Sequence, residues 1–299
     1  MPFLNRQRYN TDTGRNRPRP ERGVTINIIQ QTSVSKNRHT ANEDALIITD
    51  HFIAVIDGVT SKLPIRYHGK TTGQIAMELI TQQIQQLPAD TTIHQFINAI
   101  NNEFITYSHS ILHHSSDHNQ PFQAVAAIYS DYYRQIWLIG DCQLQIDGQY
   151  YANPKKSDTI LSDIRSFILT MRDWQMDPIH SSDPLPAGED PGRDFILPWI
   201  QQACMFANRD IPEYGYAVLN GQPIPDRLLR IFQLDEQQHE IILASDGYPR
   251  IHSTLEQTEA FLQAQLQHDP MCYKHYRSTK GMTAQSDSFD DRTYIRFHI

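Results

Sequence analysis

Cysteine is scarce and poorly placed for stapling: the 299-residue chain holds three, Cys142, Cys204 and Cys272, with no Cys-x-x-Cys pair. An odd, scattered set excludes a disulfide framework and a zinc knuckle, so the three read as buried thiols. Long apolar runs are missing too. No stretch approaches the roughly 18 residues that a membrane span needs, and the amino-terminal segment has no apolar h-region, which makes the cytoplasm the expected compartment. There is neither a Gly-x-Ser-x-Gly elbow nor a His-Glu-x-x-His helix, so serine-hydrolase and zincin chemistry lack an anchor. Basic charge is also in deficit, with 26 Lys and Arg against 34 Asp and Glu for a formal charge of −8. Six of the arginines lie in residues 1–22 against only Asp12 and Glu21, leaving that stretch at +4 and the rest of the chain at −12. An acidic body repels phosphate backbones, so neither a nucleic acid nor a membrane partner is expected. The basic leader, residues 1–23, is expected to be a flexible tail, with partner contact through it as the alternative.

What is present is an alternation of two periods. Val24–Gln31, Ala45–Thr49 and Phe52–Ile56 are β-rich runs bounded by polar residues. Ile75, Ala76, Leu79, Ile80, Ile84 and Leu87 then recur at helical spacing, stopped by Pro88. Thr92 can cap a second helix striped by Ile93, Phe96, Ile97, Ile100, Phe104, Tyr107 and Ile111. Strands are predicted again at Phe122–Tyr129, Gln135–Gly140, Cys142–Ile146 and Gln149–Tyr151, the last two joined by an Asp147-Gly148 turn. Helical patterns around Thr159–Met176 and Asp194–Asn208 mark an insertion at about 154–212 in a domain running from 24 to 299. Strands at Tyr216–Leu219, Leu228–Gln233 and Glu240–Ser245, a helix at Thr254–Gln267 and a strand at Arg292–His298 close the chain. Runs of strands broken by helix pairs indicate an α+β fold with largely antiparallel sheet.

Two local patterns suggest chemistry and are better read as structure. Gly69-Lys70-Thr71 is similar to the end of a phosphate-binding loop, but Pro64 stands where its first glycine belongs, so these are helix-start residues. The histidines of 113–118 lie in a polar connector without a second ligand cluster and read as a solvated loop.

The acidic residues that end apolar runs are the stronger signal. They are Asn42-Glu43-Asp44, Asp57-Gly58, Gly140-Asp141, Asp246-Gly247 and Asp290-Asp291. A carboxylate at a strand end is held by the sheet backbone, and hard divalent cations take such oxygen ligands. Each one alone is also ordinary turn chemistry, as Asp147-Gly148 illustrates.

In order and flanks, Asn42-Glu43-Asp44-Ala45, Val55-Ile56-Asp57-Gly58, Ile139-Gly140-Asp141-Cys142, Leu243-Ala244-Ser245-Asp246-Gly247 and Asp290-Asp291-Arg292-Thr293 resemble the signature blocks of the metal-dependent serine/threonine protein phosphatases, the PPM or type 2C family. The resemblance runs from about residue 24 to 299. It implies an αββα four-layer sandwich of two antiparallel sheets flanked by helix pairs, with a site for two Mn²⁺ or Mg²⁺ ions and a weaker third at one end. Carried over by position, Asp57 resembles the bridging ligand and Gly58 offers its carbonyl. Glu43 resembles a ligand of the second ion, with Asp44 holding a metal-bound water. Asp246 and Asp290 are similar to ligands of the first ion, with Asp291 as the alternative register, and Asp141 to a ligand of the third. Arg38 is similar to the family's phosphate-contacting arginine, displaced by one residue, with Lys36 and Lys62 as alternatives. The block Asp57–Lys62 lacks the histidine that serves many members as general acid, leaving that role to a metal-bound water or to another group such as His68. The implied activity is hydrolysis of phosphoserine or phosphothreonine in a phosphorylated protein substrate by metal-activated water. The departures leave a binding or regulatory module with little turnover as the alternative.

Overall fold

The computed structural model describes residues 26–37, 40–60, 65–111, 122–175 and 189–299. Twelve strands and five helices are formed by these residues. The strands are β1 (Asn27–Val34), β2 (Asp44–Ile48), β3 (Phe52–Gly58), β4 (Arg66–Tyr67), β5 (Lys70–Thr71), β6 (Ala124–Ser130), β7 (Gln135–Ile139), β8 (Gln143–Ile146), β9 (Gln149–Tyr151), β10 (Arg230–Gln233), β11 (Glu240–Ala244) and β12 (Arg292–His298). The helices are α1 (Thr72–Ile84), α2 (Ile93–Ile111), α3 (Lys156–Gln175), α4 (Pro191–Ala203) and α5 (Leu255–His268). Ten strands make two five-stranded sheets, ordered β1-β12-β11-β8-β9 and β10-β7-β6-β3-β2, and every pairing within them is antiparallel. Among the described residues no helix is long and apolar enough to cross a membrane.

The central strands read as unbroken apolar runs because both of their faces are buried. Along β3, Ile53 and Val55 point into the space between the sheets, while Phe52, Ala54 and Ile56 point outward under α1 and α2. β6 and β7 divide the same way, Val125, Ala127, Tyr129, Ile136 and Leu138 inward, and Ala126, Ile128, Trp137 and Ile139 outward. Ile241, Leu243, Ile295 and Phe297 of the other sheet complete the inner layer. Its outer face, Ile242, Ala244 and Tyr294, is covered by Leu262 and Leu266 of α5. The result is the four-layer αββα sandwich that the sequence leads one to expect.

The helix starts follow their caps. Thr71 and Gln74 form a reciprocal capping box at the head of α1, and Thr92 and Gln95 make the same pair of bonds before α2. Thr71 is therefore a helix-start residue, as read from the sequence. Pro191 opens α4 behind the Asp190 cap. Three expectations need correction. Cys142 and Cys272 are buried thiols, but Cys204 is exposed, at the start of the short 3-10 turn that follows α4. Tyr216–Leu219 forms no named strand, only isolated bridges of Tyr216 to Ala207 and Leu219 to Ala124. The side-chain amide of Asn208 takes the place of a neighbouring strand there, accepting from Val218 N at 2.9 Å and donating to Val218 O at 2.8 Å. At Leu228–Gln233 a 3-10 turn (Asp226–Leu228) precedes the shorter β10. The small β4–β5 hairpin was not anticipated.

In the region expected as an insertion, α3 and α4 pair through a small cluster of Leu161, Ile196 and Ile200. They are tied to the domain by Arg165, which is fully buried. Its guanidinium meets Asp190 at 2.6 and 2.9 Å and donates to the carbonyls of Met271, Cys272 and Ser278 at 2.8–3.1 Å.

Candidate metal centre

Strand register brings the acidic blocks of each sheet to one end of that sheet, and the packing of the two sheets sets those ends together. Asp44, the first residue of β2, lies directly opposite Asp57 near the end of β3. Asp57 in turn pairs with Val125, and Ala126 with Ile139, which places Gly140-Asp141 at the same end. In the other sheet, Ala244 pairs with both Gln143 and Tyr294, so Ser245-Asp246 and Asp290-Asp291 leave their strands there too. The two sheets are clasped at this point. The Asp291 carboxylate accepts from Lys36 N at 2.7 Å and Glu43 N at 3.0 Å, joining β12 to the start of β2.

Glycine permits the closest approaches. A Cβ on Gly58 would lie 2.3 Å from the carbonyl oxygen of Gly73, so the head of α1 rests directly on the end of β3. A Cβ on Gly247 would lie 1.8 Å from the Asp291 carbonyl oxygen. In both cases the glycine following a candidate ligand is required by backbone packing.

The electrostatics divide the cluster in two. On one side, Asp57 and Asp246 are hydrogen-bonded to each other and sit near Asp44 and Asp141. Burial, followed by the charges of Asp246, Asp44, Asp290 and Asp141, pushes the Asp57 carboxyl well above the usual range. Asp44 is raised in the same way, against a hydrogen bond from Ser245, and its Oδ2 is buried without a partner. Burial and the neighbouring Asp141 and Asp290 carry Asp246 to about 6. The Cys142 thiol beneath them is pushed well up, chiefly by burial and then by Asp57. Among the described residues no lysine or arginine forms an ion pair with Asp44, Asp57 or Asp246.

On the other side the carboxylates already face cations or hydroxyls. Lys36 Nζ lies 3.2 Å from Asp290 Oδ1 and 3.5 Å from both Glu43 Oε2 and Asp291 Oδ2. Lys280 pairs with the other oxygen of Asp290. Burial opposes ionisation of Asp290, but the two ammonium groups outweigh it and hold its carboxyl at about 2. Glu43 receives the hydroxyls of Thr60 and Thr71, each at 2.5 Å. Thr71 caps α1, so the positive end of that helix also faces Glu43. At the rim, Lys155 Nζ pairs with Asp141 at 2.9 Å.

The donor set can be tested against a divalent cation on these grounds. Among the described residues no three His, Cys, Asp or Glu side chains stand as a ready-made metal cage. Yet Asp57, Asp246 and Asp44 are hard oxygen donors that repel one another, two sharing a hydrogen bond that needs a proton and one carrying an orphaned oxygen. That is a charge deficit which a hard cation offsets. This half of the cluster fits such an ion.

Of the remaining expected site residues, Arg38 and Lys62 lie outside the described residues, as do the leader and the histidines of 113–118. Lys36, considered for phosphate contact, points instead at carboxylates. His68 is exposed at the β4–β5 turn. Between Asp290 and Asp291, the second spends its oxygens on backbone amides, and the first faces the lysines. Sequence reading missed Lys155, Lys280, Thr60, Thr71 and Ser245 as partners of the acids. Only Thr71 carried a local signal, as a helix cap. A pocket of about 340 Å³ opens beside Asp141 and Asp246, with Lys155, Ser162, Tyr276 and Arg277 among its walls.

No protein-family model and no curated protein matches the chain. Among solved structures it is similar to the serine/threonine phosphatase Stp1 from Staphylococcus aureus, at 15% identity and a TM-score of 0.48 over 96% of this chain and 98% of that one. It is also similar to the catalytic domain of the serine/threonine protein phosphatase PstP in complex with two manganese ions, at 13% and 0.47 over 92% and 98%. The PPM phosphatase MsPP from Mycobacterium smegmatis gives 11% and 0.43 over 92% and 97%. The likeness is one of fold.

Proposed function

We propose that the chain is a metal-dependent phosphomonoester hydrolase of the PPM type, acting on phosphoserine or phosphothreonine in a protein. The observation that carries this reading is the meeting of Asp44, Asp57 and Asp246, from three strand ends in two sheets, without an ion-pair partner among the described residues. When bound, Mn²⁺ or Mg²⁺ supplies a Lewis acid that makes water nucleophilic near neutral pH and offsets the charge of the phosphoryl oxygens. Asp57 and Asp246 would hold that ion, and Asp44, whose Oδ2 is buried without a partner, would orient water. The adjoining pocket receives the phosphoester, where Lys155 and Arg277 attract its negative charge and Tyr276 bounds it. Tyr276 remains a neutral hydroxyl, since burial and then Asp246 push its ionisation far up.

Turnover of a chromogenic phosphomonoester with added Mn²⁺ tests the assignment. Asp57→Asn and Asp246→Asn should each lose about 10²-fold or more in kcat, the scale of losing a major electrostatic contact to the transition state. Equal activity in wild type and both variants overturns it. The lysines on Glu43 and Asp290 favour a second reading, a binding or regulatory module; tight Mn²⁺ binding with no hydrolysis of any phosphopeptide would support that instead.

A further inference from the structure

Glu43 and Asp290 are the carboxylates that resemble ligands of separate ions, and a single ammonium group bridges them here. Lys36 Nζ has Asp290 Oδ1, Glu43 Oε2, Asp291 Oδ2 and Thr60 Oγ1 all within 3.2–3.5 Å. The residue is pinned along its whole length. Its backbone N–H donates to Asp291 Oδ1 at 2.7 Å, and its carbonyl accepts from Asp287 N at 2.8 Å. Its side chain is only 24% exposed. Such a lysine is a fixed part of the site rather than a solvated arm.

We propose that the Lys36 ammonium is a built-in cation standing where a second divalent ion would bind, so that the chain holds one ion, at Asp44, Asp57 and Asp246, instead of a pair. The inference rests on the hydrolase reading above. Formal charge supports it. Glu43, Asp290 and Asp291 face Lys36 and Lys280, leaving one uncompensated negative charge. Asp44, Asp57, Asp141 and Asp246 have Lys155 as their one ion-pair partner among the described residues, with Lys280 acting on Asp246 from further away, leaving two negative charges once the proton between Asp57 and Asp246 is counted. A divalent cation goes to the more negative half and is repelled from the half already carrying an ammonium. Both oxygens of Glu43 are, besides, occupied by the Thr60 and Thr71 hydroxyls. The only carboxylate oxygen among these residues that is buried without any partner, Asp44 Oδ2, lies in the other half.

The test is Mn²⁺ stoichiometry on the full chain by calorimetry, with electron paramagnetic resonance to detect coupled ion pairs. Lys36→Met, and Lys36→Gln as a second neutral replacement, should bind one more ion per chain than wild type and show a pair signal that wild type lacks. Lys36→Arg, which keeps the charge, should retain the wild-type count. Near-UV circular dichroism verifies that each variant is folded. Equal counts in wild type and both neutral variants overturn the inference, and so does an extra ion in Lys36→Arg. Two ions in wild type remove the lysine substitution while leaving the hydrolase reading intact; no ion in any of the four proteins removes the hydrolase reading itself.

Discussion

Metal-free protein is expected to become more stable as the pH falls from 7 to 5. The group responsible is Asp246, whose carboxyl stands at about 6 in the folded chain, against about 3.9 in an unfolded one. An acid with a raised folded pKa destabilises the fold while it is ionised. That cost is complete above pH 6, shrinks as the pH falls through 6, and disappears below the unfolded value. At 1.36 kcal/mol per unit, the gap costs about 3 kcal/mol at pH 7, of which about 1 kcal/mol is recovered by pH 5. Asp57, hydrogen-bonded to Asp246 and displaced in the same direction, adds to the effect. Asp290 works in the opposite sense. Its carboxyl is held down at about 2 by Lys280 and Lys36 against the cost of burial, so its contribution is nearly constant between pH 7 and 5 and fades only below about pH 4. For a chain of this size, a gain of about 1 kcal/mol corresponds to a rise in Tm of about 2 °C. The assay is thermal unfolding in chelator at the two pH values, for wild type and for Asp246→Asn, which cannot ionise at this position. The Tm of wild type relative to the variant should rise on acidification. A difference that stays the same at both pH values refutes the reasoning.

Two further predictions concern the frame around the site. Arg165→Met strands the Asp190 carboxylate and the carbonyls of Met271, Cys272 and Ser278, and should destabilise by about 3–5 kcal/mol, the scale of breaking a buried ion pair; urea unfolding measures it, and a change below about 1 kcal/mol would contradict the role given to this residue. Gly247→Ala drives a methyl group into the Asp291 carbonyl, at 1.8 Å before any relaxation. It should cost about 1–3 kcal/mol and weaken Mn²⁺ binding, so a variant with wild-type Tm and affinity would show that the loop yields freely.

Much of the architecture was legible because periodicity is local. The helical stripe from Ile75 to Ile84, the paired caps at Thr71 and Thr92, and the short apolar run at Phe52–Ile56 each state their element without reference to distant residues. Tyr216–Leu219 failed for the complementary reason. Its composition suits a strand, but Asn208 satisfies its backbone with a side-chain amide, and nothing in the segment itself signals that. Arg165 likewise is one of several charged residues on its helix, and nothing in the local pattern signals that it is buried at the junction of three segments.

The sequence by itself determined that carboxylates stand at strand ends and follow one another in a recognisable order, since both facts depend on neighbours along the chain. Tertiary structure alone decided which of them meet and which are neutralised. Antiparallel register sets Asp44 opposite Asp57, and the packing of one sheet on the other brings Asp246 to them. Lys36 reaches Asp290 across 254 residues of chain, and Lys280 meets the same carboxylate from another loop. Charge acts through space and is strengthened by burial, so the electrostatic state of each acid depends on its neighbours in the folded molecule, not on its place in the chain.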